Sequence, residues 1–378
     1  LSDIAFKAKD FKESYDLLKN NFQTPNQLLD FAYQNKKIKN YDLAIEVYKD
    51  IINQDYSSKM TILAILDMGD TLEKKSISSK LNLPISQYFY NNEILMSPYN
   101  HIDSENLGVL DGAISLYDSL YSISKGSEAG FRLAEIQFAI LNDLDRAFDI
   151  YTECIKYSKN TSIKFNSSLR IIDIMIIKGN LSEAKKILVK NIKQYGKGKE
   201  SNLLAIKNIQ IDFFNMEESI LDSISNVTQR LSKDNFLYND LLDMQSIIIS
   251  FKDDLELLEL FSQAQLLIFQ NKRLEAIKQL IGIYNYSIDN MMINDFIIAQ
   301  LSYLLLLENN FQDVFKYLDE ISHETIFSEF SYILKAEIFD FILDDKKNAV
   351  DLYLDFLNKY PLSIFYDDIR LRLRDLVN

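Results

Sequence analysis

Apolar residues return along this chain at helical spacing, and short polar punctuation breaks the pattern. In one stretch Phe131, Ala134, Phe138 and Leu141 fall on one helical face. Asn142-Asp143 interrupts, and Leu144, Ala147, Tyr151, Cys154 and Ile155 then resume the spacing. Such a stretch predicts two helices joined by a tight turn, with Asn and Asp suited to accept the N–H groups that open the second helix. Similar punctuation recurs at Asp10, Asn40, Gly179-Asn180, Asn271, Asn309-Asn310 and Asp344-Asp345. In the helix that follows, a small residue is joined four positions later by a large apolar one. The pairs are Ser14/Leu18, Ala44/Tyr48, Ala113/Tyr117, Ala147/Tyr151, Ala184/Leu188, Ala276/Leu280, Val314/Leu318 and Ala349/Tyr353. The step from Ala113 to Ala147 is 34 residues, and that from Val314 to Ala349 is 35. A period of this size predicts a stack of helical hairpins, each too small to bury its apolar face without a neighbour. The small residue lets two helices approach, and the residue four on fills the gap to the next hairpin.

Two intervals depart from the period. Ala44 to Ala113 is 69 residues, near two periods, and predicts a degenerate hairpin whose first helix is Met60 to Leu72 and whose second is Ser78 to Ile94. An irregular segment follows near 95–107, around the run PYNHIDSEN. Ala184 to Ala276 is 92 residues, room for a hairpin near Ser219 and an extra helix pair from Phe236 to Leu260. The expected organisation is three parts: regular repeats over 1–205, degenerate helical repeats over 206–262, and regular repeats with a capping helix over 263–378. The chain opens at Leu1 in mid-repeat, with residues 3–9 reading as the tail of a first helix. A segment removed upstream, such as a signal peptide, is the expectation.

Composition narrows the classes. The chain has 378 residues, 47% of them hydrophobic, with only 4 Pro and 9 Gly, which suits long helices and not a turn-rich β protein. Its formal charge of −14 points away from nucleic acid, whose phosphates the average field repels. One cysteine, Cys154, excludes an intramolecular disulfide framework. It stands seven residues after Ala147, where other hairpins place Ile51, Leu120, Ile283, Ile321 and Phe356, and so reads as a small core residue. The most apolar stretch, Met291 to Leu307, is interrupted by Asn294, Asp295, Gln300 and Ser302 and reads as a buried helix, so no membrane-spanning segment is expected.

Ala32, Tyr41, Ala44, Tyr48 and Ile51, like Ala134, Leu144, Ala147, Tyr151 and Cys154, resemble the tetratricopeptide repeat family. Ala264, Ala276, Leu280 and Ile283 match its pattern in part. Ala336, Ala349, Tyr353, Phe356 and Pro361 match it again, with NKYPLS closing the last hairpin. The chain departs from the family in having no Trp and in lacking the Gly that commonly follows the first-helix leucine. The resemblance spans most of 1–205 and 255–378. It implies an all-α fold, a right-handed α-solenoid of eight to ten antiparallel hairpins, and a non-enzymatic scaffold that holds a protein or peptide partner on a concave face lined by first helices. On that face it would place Tyr33, Lys36, Glu135, Glu337 and Asp340. The family's clamp for a C-terminal carboxylate is absent, since its positions hold Leu29 and Tyr33, Phe131 and Glu135, and Ile333 and Glu337. The Lys/Asn/Ile-rich acidic composition and the YPLS ending are similar to tetratricopeptide proteins of bacterial cell envelopes, which favours a periplasmic or envelope location over the cytoplasm. A peptide- or ligand-sensing regulator of the same fold is the alternative function.

No residue pattern assigns chemistry. His101 and His323 have no partners at metal-ligand spacing, and no Gly-rich phosphate loop, Gly-x-Ser-x-Gly or Cys-x-x-Cys occurs, so no catalytic residue, metal site or cofactor is expected. Lys185, Lys186, Lys190, Lys193, Lys197 and Lys199 read as a solvated helix end and loop. Arg370, Arg372 and Arg374 read as part of a capping helix paired with Asp367, Asp368 and Asp375. Tyr88-Phe89-Tyr90 reads as core on one side and hairpin interface on the other.

Overall fold

The computed structural model describes residues 10–20, 24–54, 57–77, 83–86, 92–100, 106–251, 253–286, 291–322, 325 and 327–377. The helix tail expected over 3–9, the run Tyr88-Phe89-Tyr90, and both histidines lie outside them. Among the described residues the chain is helical throughout, without an extended strand. The helices are α1 (Phe11–Asn20), α2 (Pro25–Lys37), α3 (Tyr41–Asn53), α4 (Ser58–Ser76), α5 (Leu107–Ile123), α6 (Glu128–Ala139), α7 (Leu144–Tyr157), α8 (Thr161–Ile177), α9 (Leu181–Tyr195) and α10 (Ser201–Phe214). They continue as α11 (Ile220–Arg230), α12 (Tyr238–Ser250), α13 (Leu255–Phe269), α14 (Arg273–Tyr286), α15 (Met291–Leu307), α16 (Phe311–Asp319), α17 (Phe327–Glu337), α18 (Lys346–Lys359) and α19 (Tyr366–Val377). A π-helical turn, Ile338–Ile342, extends α17. No described helix is long and apolar enough to cross a membrane.

The chain forms two compact units. Unit 1 is Leu1–Ser79 with Tyr99–Ile174, and unit 2 is Lys80–Pro98 with Met175–Asn378. In unit 1 the hairpins are α2/α3, α4/α5 and α6/α7; in unit 2 they are α10/α11, α13/α14, α15/α16 and α17/α18, with α19 closing on α18. The fold class is thus the expected one, an all-α solenoid of helical hairpins. The small/large pairs make its core. Every member except the half-buried Leu18 is at most 1% exposed. The seventh positions are buried as well, and burial of Cys154 pushes its thiol up to about 11, which keeps it protonated and unreactive at neutral pH.

The polar punctuation has a backbone reason. Lys39, Asn142, Gly179, Met216, Asn271, Asn309 and Asp344 all take a left-handed φ at the turn between two helices. That conformation lets the next N–H reach back to a carbonyl of the preceding helix, as Asn40 does to Asn35 at 2.9 Å and Asn310 to Leu305 at 2.9 Å. Asn, Asp and Gly tolerate this region at least cost. Asp143, Asn310 and Asp345 then cap the following helix, accepting from the N–H of Arg146, Asp313 and Asn348.

Of the degenerate hairpin expected between Ala44 and Ala113, the first helix is present as α4, and the described residues show no second helix. The described residues 83–86 and 92–95 form turns in place of the second helix placed over 78–94. Pro84 is the cause: it has no N–H to give a helix and drives Leu83 away from helical geometry. The true partner of α4 is α5. Tyr117 of α5 lies over Gly69 of α4, where even a methyl group would stand 2.5 Å from its ring, and Gly112 of α5 faces Leu72. The extra length of this interval therefore lies between the two helices of hairpin α4/α5. In the other long interval, α12 stands as a single extra helix between hairpin α10/α11 and hairpin α13/α14.

Candidate functional site

In unit 1 the first helices α2, α4, α6 and α8 are tied to one another by charge. Lys36 on α2 is buried and sits 3.2 Å from Asp67 and 3.1 Å from Asp70, both on α4. Burial opposes its ammonium form, but the two carboxylates outweigh burial and raise its pKa. Burial likewise opposes ionisation of Asp70, and the bonds from Lys74 and Lys36 overcome it and hold its pKa below the usual carboxylate range. Arg132 on α6 approaches Asp70 at 3.8 Å. Further along, Glu135 on α6 takes a two-pronged bond from Arg170 on α8, 2.9 Å on each arm, and also accepts from Tyr151. Arg170 reaches Asp173 at 3.3 Å. Of the sequence candidates here, Lys36 and Glu135 are engaged within the unit. Tyr33, 51% exposed, shares α2 with Lys36, whose ammonium lies 5.5 Å from the ring centroid.

In unit 2 comparable positions hold a piece of the chain itself. Glu337 on α17 is 1% exposed, and its carboxylate accepts the backbone N–H of Ile85 at 2.7 Å and of Ser86 at 2.9 Å. Asp240 on α12 accepts the N–H of Glu93 at 3.0 Å, while its own carbonyl accepts from Asn92 at 3.0 Å. Gln210 on α10 donates its amide to the carbonyl of Ile94. Leu83, Ile85, Ile94 and Leu95 are buried as the segment's apolar anchors. Burial raises the pKa of Glu337, against the hydrogen bonds from Ser86 and Ile85, and pushes that of Asp240 up to about 6. Asp340 follows one turn after Glu337. It accepts both arms of Arg372 at 2.7 Å and the hydroxyl of Tyr353 at 3.1 Å. A cavity of about 310 Å³ lies among Ile85, Glu337, Phe341, Tyr353 and Arg372.

Sequence reasoning placed Glu337 and Asp340 on a first helix but missed what they hold. Arg372 pairs with Asp340 and not with the acids of its own helix, whereas Arg370 does take a local partner, Asp367 at 3.1 Å. Gln210, Asp240 and Arg170 were not singled out at all, and nothing in their spacing marks them. The one available signal was Pro84, which forbids a helix where the repeat pattern wanted one. In the lysine run, Lys185 pairs with Asp212 and Lys186 with Glu183, while Lys190, Lys193, Lys197 and Lys199 are exposed. Among the described residues no group of His, Cys, Asp and Glu has the geometry to hold a metal ion.

Comparison with known proteins adds to the geometry. The tetratricopeptide repeat model matches residues 128–161, which are α6, the Asn142 turn and α7. No curated protein matches the chain. Among solved structures, the crystal structure of the P58(IPK) TPR domain is similar at 10% identity over 93% of this chain and 98% of that one, with a TM-score of 0.26. Yeast Tom70 is similar at 15% identity over 100% of this chain and 87% of that one, with a TM-score of 0.31. The family match falls on the hairpin that carries Ala134, Ala147 and Tyr151, and neighbouring hairpins bury the same small/large pairs in the same way. The tetratricopeptide repeat model thus matches one hairpin of this all-α chain, residues 128–161.

Proposed function

We propose that this protein is a non-enzymatic interaction scaffold that binds an extended segment of a protein partner on the first-helix side of its hairpins. The observation that supports this most is the way unit 2 holds residues 83–86 and 92–95. Polar side chains from α10, α12 and α17 grip the main chain of two short turns, whose aliphatic side chains Leu83, Ile85, Ile94 and Leu95 are buried. This is how a helical repeat recognises a peptide without reading every side chain. Of the positions expected on the partner-facing side, Lys36, Glu135, Glu337 and Asp340 are held by their own chain and would shape the surface, while Tyr33 would meet the partner. Tyr33 is the exposed aromatic anchor of the set, and burial of such a ring contributes much of a peptide's affinity.

The test is selection from a displayed library of random 15-residue peptides against the intact chain, followed by titration of the winners. Tyr33→Ala should weaken them by about tenfold, the loss of one anchor of roughly 1.4 kcal/mol. The triple replacement of Lys190, Lys193 and Lys197 by Ala should leave them unchanged. Selection of no peptide, or loss only in the lysine variant, contradicts the reading.

A further inference from the structure

We infer that the cavity among α17, α18 and α19 of unit 2 is a binding site for a small organic ammonium, a primary amine carrying a short apolar body. Its volume of about 310 Å³ lies at the small end of the range for ligand sites. The charges on its walls set the sign of the ligand. Arg372 gives both arms to Asp340 at 2.7 Å, so that cation and that anion cancel. Glu337 and Asp368 remain on the walls, and among the described residues neither forms an ion pair. Asp368 is exposed, but Glu337 is 1% exposed, and a buried carboxylate without a counter-charge is costly. The N–H groups of Ile85 and Ser86 give Glu337 hydrogen bonds but no positive charge. Burial raises its pKa, Asp340 adds to the rise, and a cation in the cavity would reverse it.

The other walls narrow the ligand further. An anion would meet Glu337, Asp340 and Asp368 together. A bare metal ion needs a shell of oxygen, nitrogen or sulfur ligands, and the described residues hold no group of His, Cys, Asp and Glu able to supply one. Phe341 and Tyr353 contribute aromatic rings, and Pro84 and Ile85 contribute aliphatic surface, which suits the body of an organic cation. Both rings are fixed in advance. The Arg372 guanidinium lies 4.6 Å from the ring centroid of Phe341, and the Tyr353 hydroxyl donates to Asp340 at 3.1 Å. Phe341 also stands on the π-helical turn Ile338–Ile342, a departure from α geometry that proteins often keep at functional sites. The turn at residues 83–86 is a wall of this site and stays in place when the ligand enters.

The experiment titrates the intact chain by calorimetry with phenethylamine and with two molecules of the same shape but different charge, phenethyl alcohol and phenylacetate. The amine should bind saturably, the alcohol at least about tenfold more weakly, and the acid not at all. Glu337→Gln, which keeps one hydrogen-bond acceptor but removes the buried charge, should weaken the amine about tenfold. Asp368→Asn, at an exposed position, should weaken it about threefold, and decides the matter if the Glu337 variant does not fold. Asp367→Asn is the control. It removes the same charge one residue away, from a carboxylate that pairs with Arg370 at 3.1 Å, and should leave binding unchanged. Absence of saturable amine binding overturns the inference. So does equal binding of amine and alcohol, or an equal loss in the Asp367 and Asp368 variants. The inference does not rest on the scaffold reading: peptide selection that depends on Tyr33 and amine binding that depends on Asp368 succeed or fail separately.

Discussion

Unit 1 and unit 2 are built from the same hairpin, yet they use the polar side chains of their helices differently. In unit 1 those side chains face each other: Lys36 with Asp67 and Asp70, and Glu135 with Arg170. In unit 2, Glu337, Asp240 and Gln210 face a main chain that belongs to no helix. Charged partners on neighbouring helices fix a repeat interface. A carboxylate aimed at main-chain N–H groups fixes a turn of the chain instead. The small/large core pairs are common to both units, so the contrast lies in the polar side chains and not in the packing.

The largest expected effect breaks the unit 2 side of this contrast. Glu337→Ala leaves the N–H groups of Ile85 and Ser86 buried without an acceptor and should destabilise the chain by about 3 kcal/mol in denaturant unfolding. A loss under about 1 kcal/mol would mean that the carboxylate does not hold the segment. Next, Arg170→Ala in unit 1 strips the counter-charge from Glu135 and from the nearly buried Asp173. Its cost should be about 2 kcal/mol, below that of a fully buried pair because a third of the Arg170 side chain is exposed. Restoring charge balance with Glu135→Gln in the Arg170→Ala background should recover part of that loss, as expected of a helix-to-helix pair.

The third test uses pH. Asp240 is pushed up to about 6 in the folded chain from an ordinary 3.8, so between those values the folded state holds more protons than the unfolded one. Its contribution to stability is therefore present at low pH and falls as pH rises toward 6. Relative to wild type, Asp240→Asn should remove about 2 kcal/mol of that decline, measured by denaturant midpoints between pH 4 and 6.5. An unchanged slope would place Asp240 in contact with solvent and out of the segment's grip. The smallest effect is a control: Lys197→Ala, in the exposed lysine run, should shift stability by less than about 0.5 kcal/mol.

The hairpins and their turns were legible in the sequence because their cause is local and periodic. Ala147 and Tyr151 bury one helical face, and Asn142 takes the left-handed turn that a side-chain amide tolerates. The interval from Ala44 to Ala113 was misread because two periods of length look like two hairpins when only spacing is counted. Pro84 carried the contrary signal, and its weight was missed. The grip on residues 83–86 and 92–95 was not legible at all. It joins Ile85 to Glu337 and Ile94 to Gln210 across more than a hundred positions, and no single-sequence period encodes a contact of that range. Arg372 misled for the same reason: local acids were available, and the more distant Asp340 took the guanidinium.

The central claim is that α10, α12 and α17 of unit 2 hold residues 83–86 and 92–95 by their main chain. Amide hydrogen exchange at single-residue resolution tests it most directly. The N–H groups of Ile85, Ser86 and Glu93 should exchange on the order of 100-fold more slowly than in the free 83–96 peptide. Glu337→Ala should release Ile85 and Ser86 while leaving Glu93 protected, because Glu93 is held by Asp240. Exchange of all three at the free-peptide rate in the wild-type chain would contradict the account.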